Sequence, residues 1–289
     1  MKPGAFEYHR PRTLDEALAL LARYEDAKPL AGGQSLIPAM NFRLATPAAL
    51  VDLGLLTELR GISGSGSGGV RLGAMTTHTA VETSPLVARQ APLLAETIRF
   101  VAHPQIRNRG TLGGSLAHAD PAAELPAVVV ALEATLTLKS ASAERRVPGE
   151  RFFRGLFATA LEPGELVTAI EVPALRARSG WAFEEMVRRH GDYALVGVAA
   201  LLTLDAAGRC ANARIALLSV GDGPVLAKRA MAALAGQAPG EETVRGAAEL
   251  AASEDSDPPS DIHASAAYRR QLTRVLTRRA LTRAVERAR

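Results

Sequence analysis

Two short glycine-rich segments carry the residues best suited to bind a ligand: AGGQS at 31–35, the first glycine loop, and TLGGS at 111–115, the second glycine loop. Each combines adjacent glycines with a small hydroxyl residue. Because glycine has no Cβ, its backbone can approach a phosphate closely and offer N–H groups to it. Neither loop carries the lysine of a phosphate-transferring P-loop. The pair predicts a ligand with two phosphates that is bound and not hydrolysed.

A third segment, GSGSGG at 64–69, formally matches the dinucleotide fingerprint GxGxxG. That fingerprint requires a strand before it and a helix after it. Here strand-like runs lie on both sides, at 59–63 and 70–74, and six consecutive Gly or Ser residues are typical of a flexible connection. We therefore interpret this segment as a hairpin connection and not as a phosphate loop.

Composition limits the class of protein. The 289 residues, 47% of them hydrophobic, suffice for two domains with a substantial core. The single cysteine, Cys210, excludes a disulfide within the chain and an iron-sulfur cluster held by this chain alone. The N-terminus lacks the apolar core of a signal peptide, and no apolar stretch approaches the roughly 20 residues of a membrane span. We expect a cytoplasmic protein whose redox work, if any, uses another cofactor.

The net charge of +4 is unevenly distributed. Eight of the 34 basic residues but only one of the 30 acidic residues lie between Arg269 and Arg289, so the rest of the chain is slightly acidic. Leucine and valine side chains in this segment can form an apolar stripe, which predicts a C-terminal helix with a solvated arginine face. No aromatic residues interleave the arginines, so nucleic-acid binding is disfavoured. Docking of an acidic protein partner stays open.

The elements around the loops predict an α/β beginning. A short strand around Phe6 and Tyr8, a helix with a Thr13–Glu16 capping box and strands at 27–30 and 50–53 form a β-α-β opening. The first glycine loop then lies at the carboxyl end of a strand, where α/β proteins commonly bind ligands. Helical patterns follow at 93–101 and after Asp120, with Asp120 as a candidate N-cap and residues 125–132 apolar nearly all round. Strands are predicted at 135–139 and 166–172.

Residues 173–180 mark the predicted domain boundary. Beyond them, strands at 181–187, 196–204 and 211–220 are followed by helices at 226–234, 242–251 and 268–288. The acidic segment 253–260, with two adjacent prolines, is interpreted as an exposed loop. This second region is predicted to be an antiparallel sheet followed by helices.

Five blocks of sequence, taken together, resemble a known family. They are AGGQSLIPAMNFRLATP (31–47), GAMTTHTAVE (73–82), HPQIRNRGTLGGSLAHADPAAELPA (103–127), RRHGDYALVGVAA (188–200) and DIHASAAYRRQLTRVLTRRAL (261–281). In this order they are similar to the FAD-binding medium subunit of molybdenum hydroxylases, the xanthine dehydrogenase and carbon monoxide dehydrogenase family. The resemblance covers almost the whole chain.

The resemblance implies an α+β fold. It predicts an N-terminal FAD-binding domain of the vanillyl-alcohol oxidase (PCMH) type over residues 1–175, made of subdomains at about 1–57 and 58–175. A C-terminal α+β domain of the CO dehydrogenase flavoprotein type follows over residues 176–289.

The resemblance also implies which residues contact FAD. The two glycine loops would hold its pyrophosphate and adjoining sugar groups. Asp120 and Glu124 would accept hydrogen bonds from its hydroxyls, although Asp120 can equally cap a helix or do both. Tyr193 either shields one face of the flavin or packs at the domain junction. The predicted contact set is Leu30, Ala31, Gly32, Gly33, Gln34, Ser35, Leu36, Val101, Thr111, Gly113, Gly114, Ser115, Ala117, His118, Asp120, Glu124 and Tyr193.

No catalytic residue and no metal site are predicted. His78, His103 and His118 lack the close spacing of a metal site such as HExxH, so structural or cofactor-adjacent roles are favoured. His118, directly after the second glycine loop, is the best candidate among them for an FAD contact.

By this resemblance the chain is an electron-transfer subunit. It would take electrons from iron-sulfur clusters of a small subunit and pass them to an external acceptor, while a molybdopterin large subunit oxidises the substrate in a dimer of heterotrimers. The acceptor stays open among a quinone, a cytochrome, oxygen and NAD. One alternative is a stand-alone flavin oxidase or reductase of the same fold; another is a non-enzymatic nucleotide-binding or scaffolding protein.

Overall fold

The chain begins with the β-α-β unit that its sequence pattern predicts. In the computed structural model, which describes residues 1–66 and 68–289, this region comprises β1 (Glu7–His9), α1 (Leu14–Arg23), β2 (Ala27–Leu30), α2 (Leu36–Asn41) and β3 (Ala49–Asp52). The capping box is confirmed, because the Thr13 hydroxyl accepts from the Glu16 amide and the Glu16 carboxylate accepts from the Thr13 amide. Strands β1 and β2 both pair in parallel with β3, and leucines of α1 cover this sheet.

A run of short helices inserted into an antiparallel sheet forms the next region. Its elements are β4 (Ile62–Gly64), β5 (Val70–Gly73), α3 (His78–Glu82), α4 (Pro85–Gln90), α5 (Pro92–Thr97), α6 (Pro104–Arg107), α7 (Leu112–His118), α8 (Glu124–Ala131), β6 (Thr135–Lys139), β7 (Glu144–Pro148), α9 (Gly149–Phe152), β8 (Phe153–Gly155), β9 (Ala158–Thr159) and β10 (Leu166–Val172). The sheet runs in the order β4-β5-β10-β6-β7. Antiparallel pairing of β4 with β5 confirms the hairpin interpretation of the GSGSGG segment; its Ser67 lies outside the described residues.

Two helix boundaries in this region differ from the prediction. Helix α5 ends at Thr97 and not near Val101, and α8 begins at Glu124 and not at Pro121. The prediction that Asp120 is the N-cap of α8 is therefore wrong, because Ala123 holds that position. The Asp120 Oδ1 instead accepts a hydrogen bond from the Ala122 amide at 2.9 Å, which holds residues 120–123 in a turn ahead of the helix. Every residue of α8 is buried, as its uniformly apolar sequence predicts.

The C-terminal region is an antiparallel sheet packed between helices and the preceding domain. It contains β11 (Ser179–Met186), β12 (Val196–Leu204), β13 (Cys210–Leu218), β14 (Val225–Leu226), α10 (Lys228–Leu234), α11 (Glu241–Ser253) and α12 (Ala266–Ala288), with sheet order β11-β12-β13-β14. Alternate residues face opposite sides. Ala182, Val198 and Leu217 pack with the C-terminal helices, whereas Phe183 and Ala199 join the core of residues 70–172.

Six of the seven arginines of α12 are exposed or half-buried, as the predicted solvated face requires, and Arg269 is the exception. Arg269 is buried, pairs with Asp261 at 2.7 Å and donates to the Leu195 carbonyl. Arg287 pairs with Glu96 of α5 at 2.6 Å. Because α12 lies flat on β11 and β12, arginines on its flanks reach acceptors of both regions. Among the described residues, no helix is long and apolar enough to cross a membrane.

Candidate cofactor site

The first glycine loop connects the end of β2 to the start of α2. Strand β2 lies beside β3 in parallel, with Leu30 opposite Asp52, so the loop leaves the sheet at a carboxyl end. Gly33 has φ 73°, a left-handed conformation that a side chain would strain. The Gly33 and Ser35 carbonyls accept the first hydrogen bonds of α2, from Ile37 at 3.2 Å and Ala39 at 3.1 Å. The loop is thus held by its carbonyl groups.

The backbone N–H groups of the first glycine loop point to a ligand. Over the part of the chain that the structure describes, those of residues 32–35 donate to no protein acceptor. Ser35 stands at the N-cap position of α2, yet its hydroxyl makes no capping hydrogen bond. Residues 30–36 are all half-buried, neither packed into the core nor fully in water. Free donors in such a position suit an anion that several N–H groups bind together.

The second glycine loop uses its backbone differently. The Leu112 amide donates to the Thr76 carbonyl at 3.0 Å, and the Gly113 amide donates to the Ala74 carbonyl at 2.8 Å. The Gly114 amide donates to the Thr111 hydroxyl at 3.1 Å, which caps α7. The expectation that both loops offer free N–H groups therefore does not hold for residues 112–115, whose amides are bonded within the protein.

Glycines allow the two loops to meet. A Cβ placed on Gly32 would overlap the Arg109 carbonyl oxygen and lie 2.8 Å from the Gly110 Cα, so a side chain at this position would force the segments apart. A Cβ on Gly114 would lie 3.5 Å from the Ala31 Cβ. The structure thus brings together two glycine loops that are distant in sequence.

Helix α7 presents a partly exposed face beside this junction. Leu112, Gly113 and Leu116 are buried, whereas the half-buried positions are Gly114, Ser115, Ala117 and His118. The Ser115 hydroxyl lies 3.3 Å from Nε2 of the buried His78, and the His118 ring lies 5.2 Å from the Phe157 ring. The accessible positions of α7 all belong to the predicted contact set.

Two family models match the chain in consecutive ranges. The FAD binding domain in molybdopterin dehydrogenase matches residues 4–175, and the CO dehydrogenase flavoprotein C-terminal domain matches residues 181–284. The chain belongs to the FAD-binding medium subunits of the molybdenum hydroxylases. The predicted family and its α+β fold are thereby confirmed.

Relatives within this medium-subunit family match the chain over its full length. It is 43% identical to the alpha subunit of the 6-hydroxypseudooxynicotine dehydrogenase complex of Paenarthrobacter nicotinovorans, covering 100% of this chain and 97% of that protein. It is 42% identical to the carbon monoxide dehydrogenase medium chain of Afipia carboxidovorans, covering 100% and 99%. A solved carbon monoxide dehydrogenase of Hydrogenophaga pseudoflava, which lacks the Mo-pyranopterin moiety, superposes with a TM-score of 0.96 at 42% identity over 99% of each chain.

Ser219 links two segments where the two regions meet. The Ser219 amide donates to the Pro121 carbonyl at 2.9 Å, and its hydroxyl donates to the Ala194 carbonyl at 2.7 Å. Ser219 thereby joins the turn before Glu124 to the segment that carries Tyr193. Tyr193 is 65% exposed, so most of its surface is not covered by other residues at this junction.

Burial and nearby negative charges raise the pKa values of three residues at this junction: Glu124, Glu185 and Tyr193. Burial, followed by the nearby charge of Asp120, raises the pKa of Glu124 to about 7. Burial, followed by the charge of Glu124, raises the pKa of Glu185 to about 8. The pKa of Tyr193 is also raised, first by the burial of the part of this residue that is not exposed and then by the charges of Asp120 and Glu124. These groups therefore lie close enough to influence one another's protonation.

Sequence reasoning missed Glu185. Its signal is weak, because two adjacent half-buried glutamates, Glu184 and Glu185, lie near the end of an otherwise apolar strand and nothing local tells which one faces the core of residues 70–172. Two other predicted or considered residues lie in the interior. Val101 is buried in the core, with its carbonyl accepting from Arg107 at 3.0 Å, and burial lowers the pKa of His78 to about 4. His78 is thus a neutral, buried support of the second glycine loop.

The site fits FAD by its donor and acceptor groups. The free N–H groups of residues 32–35 suit a pyrophosphate. A Cβ on Gly32 would disturb the junction of the two loops beside these N–H groups. Asp120 and Glu124 offer carboxyl oxygens to sugar hydroxyls. Among the described residues, no group of three His, Cys, Asp or Glu side chains is arranged to hold a metal ion. The seventeen predicted contact residues remain predictions at the level of individual contacts.

Proposed function

We propose that this chain is the FAD-carrying electron-transfer subunit of a molybdenum hydroxylase complex. The observation that carries this proposal is the junction of the two glycine loops, where free backbone donors at 32–35 lie beside the partly exposed face of α7. The full-length similarity to medium subunits supports it. The substrate of the complex is then oxidised on another chain.

The protein's part in the mechanism is to bind and orient. When bound, FAD supplies the electron chemistry, since a flavin can exchange electrons singly or in pairs. The first glycine loop would hold the pyrophosphate by backbone N–H groups, and Asp120 and Glu124 would fix the sugar hydroxyls. Tyr193, largely exposed at the junction of the two regions, would cover one face of the flavin and exclude water there. No side chain needs to act as a nucleophile or general base.

The proposed function also implies a division of the chain into two domains. Residues 1–175 would form the FAD-binding domain, with subdomains at about 1–57 and 58–175, and residues 176–289 the second domain. The matched family ranges and the separate sheets support this division. The core shared by Phe183 and the helices of residues 70–172 would keep the two domains in one orientation.

The partners would be an iron-sulfur small subunit and a molybdopterin large subunit, assembled as a dimer of heterotrimers. Support comes from relatives whose names describe them as subunits or chains of dehydrogenase complexes. Iron-sulfur clusters must lie outside this chain, since Cys210 is its single cysteine.

Purification of the tagged chain from its native cells tests this function. We expect an FAD absorption spectrum that survives gel filtration, about one FAD released per chain on denaturation, and co-purified chains containing iron and molybdenum. Flavin without iron or molybdenum, in a protein that oxidises a substrate alone, would favour the stand-alone oxidase. A colourless protein that takes up no added FAD would overturn the flavoprotein assignment.

A further inference from the structure

Glu185 occupies an unusual position on β11. Residues alternate along this strand, so Trp181, Phe183 and Glu185 share the face toward the core of residues 70–172. Glu184, on the opposite face, pairs with Arg283 of α12 at 2.7 Å. Glu185 has no such partner: its Oε2 is buried and makes no hydrogen bond within the described structure. An unpaired buried carboxyl oxygen is costly unless a ligand completes it.

The charged groups that face Glu185 are acidic. The charge of Glu124, on α8, raises the pKa of Glu185, and the charge of Asp120 in turn raises the pKa of Glu124. The charges of Asp120 and Glu124 both raise the pKa of Tyr193. Strand β12 places Gly197 opposite Glu185 and contains no titratable residue. On α5, Glu96 is already paired with arginines of α12. Within residues 1–66 and 68–289, none of the three carboxylates Asp120, Glu124 and Glu185 forms an ion pair.

We propose that Glu185 contacts bound FAD as a neutral carboxylic acid and donates a hydrogen bond to an acceptor atom of the cofactor. This inference rests on the proposed function. Its basis is geometric: an unpaired, buried oxygen lies on the strand face whose Trp181 and Phe183 pack in one core with residues of α8. Helix α8 begins at Glu124, which belongs to the predicted contact set. Because Glu185 has no ion-pair partner among the described residues, its carboxylate would repel an anionic cofactor, whereas the protonated form adds a donor.

The proposal predicts that FAD binding depends on pH with a definite sign. The pKa of Glu185 is raised to about 8 before FAD binds, so the protonated form prevails at neutral pH. FAD that binds this form must lose affinity as pH rises through that value, by about tenfold between pH 7 and pH 9. At pH 9, binding must also take up close to one proton, since the carboxylate is protonated in the complex. Glu124, whose pKa is raised to about 7, also titrates near this range, and the Glu185→Gln variant separates its contribution from that of Glu185. Tyr193, whose pKa is raised above its usual value of 10, does not titrate there.

Calorimetric titration of FAD-free protein with FAD, in two buffers of different ionisation enthalpy, measures both quantities on the parent protein. Glu185→Gln keeps a hydrogen-bond donor but cannot ionise, so we expect it to retain parental affinity at pH 7 and to vary less than threefold up to pH 9. Glu124→Gln removes a neighbouring negative charge that raises the pKa of Glu185. The pKa of Glu185 must then fall, and the loss of FAD affinity must begin at a lower pH. Glu184→Gln, on the opposite face, is the matched control and should keep the parental pH profile.

The outcomes separate this inference from the proposed function. FAD binding with no proton uptake at pH 9, or a parental pH profile in Glu185→Gln, overturns the role of Glu185 and leaves the proposed function standing. Failure of the parent protein to bind FAD at any pH overturns the proposed function itself. Because the parent alone gives the proton uptake, the inference stays testable even where a variant does not fold.

Discussion

The first glycine loop keeps its backbone N–H groups free of protein acceptors at residues 32–35, whereas the second glycine loop bonds its own at residues 112–115 to the protein. The two loops have nearly the same residue types. In the first, Gly32 allows the chain to pass close to Arg109 and Gly110; in the second, Gly113 allows α7 to pack on Ala74. The first loop therefore provides donors, and the second provides a fixed surface beside them.

This difference shows that a glycine pair alone does not identify which backbone meets a phosphate. The second glycine loop is fixed by the Thr76 and Ala74 carbonyls and by the Thr111 hydroxyl, which leaves side chains such as Ser115 and His118 for ligand contact. We therefore expect substitutions in the first loop to change FAD affinity and substitutions in the second to change stability. Four predictions test this contrast.

Gly32→Ala should have the largest effect. Its added Cβ overlaps the Arg109 carbonyl oxygen and separates the two loops, which we expect to weaken FAD binding about hundredfold, the equivalent of a packing penalty of about 3 kcal/mol. Fluorescence titration with FAD measures this, and circular dichroism checks the fold. Gly4→Ala, where a Cβ meets open space, is the control. Unchanged affinity in Gly32→Ala would contradict the role of this junction.

Gly113→Ala should instead reduce stability. Its Cβ would lie 2.5 Å from the Ala74 Cβ, and such overpacking costs about 2 kcal/mol of the free energy of unfolding. Urea denaturation of the FAD-free protein provides the measurement. Gly246→Ala, in α11 with open space around its Cβ, should be neutral or stabilising. If Gly113→Ala were equally harmless, the second loop would not be a packing element.

Acid should weaken the second loop through His78. Its pKa, about 4 in the folded protein against an ordinary 6.5, means that folding favours the neutral ring. Stability is complete above pH 6.5 and falls as pH drops toward 4, by about 2 kcal/mol between pH 7 and pH 5. Urea denaturation at both pH values should find this difference reduced in His78→Gln but retained in His103→Gln, since His103 is exposed. Equal acid sensitivity in both variants would refute the prediction.

Two hydroxyls at corresponding N-cap positions provide the smallest contrast. Thr111→Ala removes the hydrogen bond to Gly114 and should cost about 1 kcal/mol of stability, which Thr111→Ser should restore. Ser35→Ala removes no capping bond, so stability should change by less than about 0.5 kcal/mol while FAD affinity falls about fivefold. Thermal denaturation and FAD titration of both variants test the pair. A stability loss in Ser35→Ala that matched Thr111→Ala would remove the distinction.

Local patterns predicted much of the fold because their causes are local. The Thr13–Glu16 capping box, the uniformly apolar α8 and the GSGSGG hairpin each follow from neighbouring residues. The N-cap role of Asp120 was wrong because the turn at 120–123 is held by Asp120 itself and by Ser219, which is distant in sequence. The ion pairs of Arg287 with Glu96 and of Arg269 with Asp261 were not predicted for the same reason, since only folding brings these partners together.

The sequence by itself determined the family, with its FAD-binding domain over residues 4–175, and the absence of a cluster-binding cysteine set, because these depend on residue type and order. Only the tertiary structure decided which loop keeps free donors, since hydrogen-bond partners such as the Ala74 and Thr76 carbonyls come from another segment. It also decided that Glu185 and not Glu184 lies on the strand face toward the core of residues 70–172, because alternation assigns the two residues to opposite faces but packing determines which neighbour each face meets.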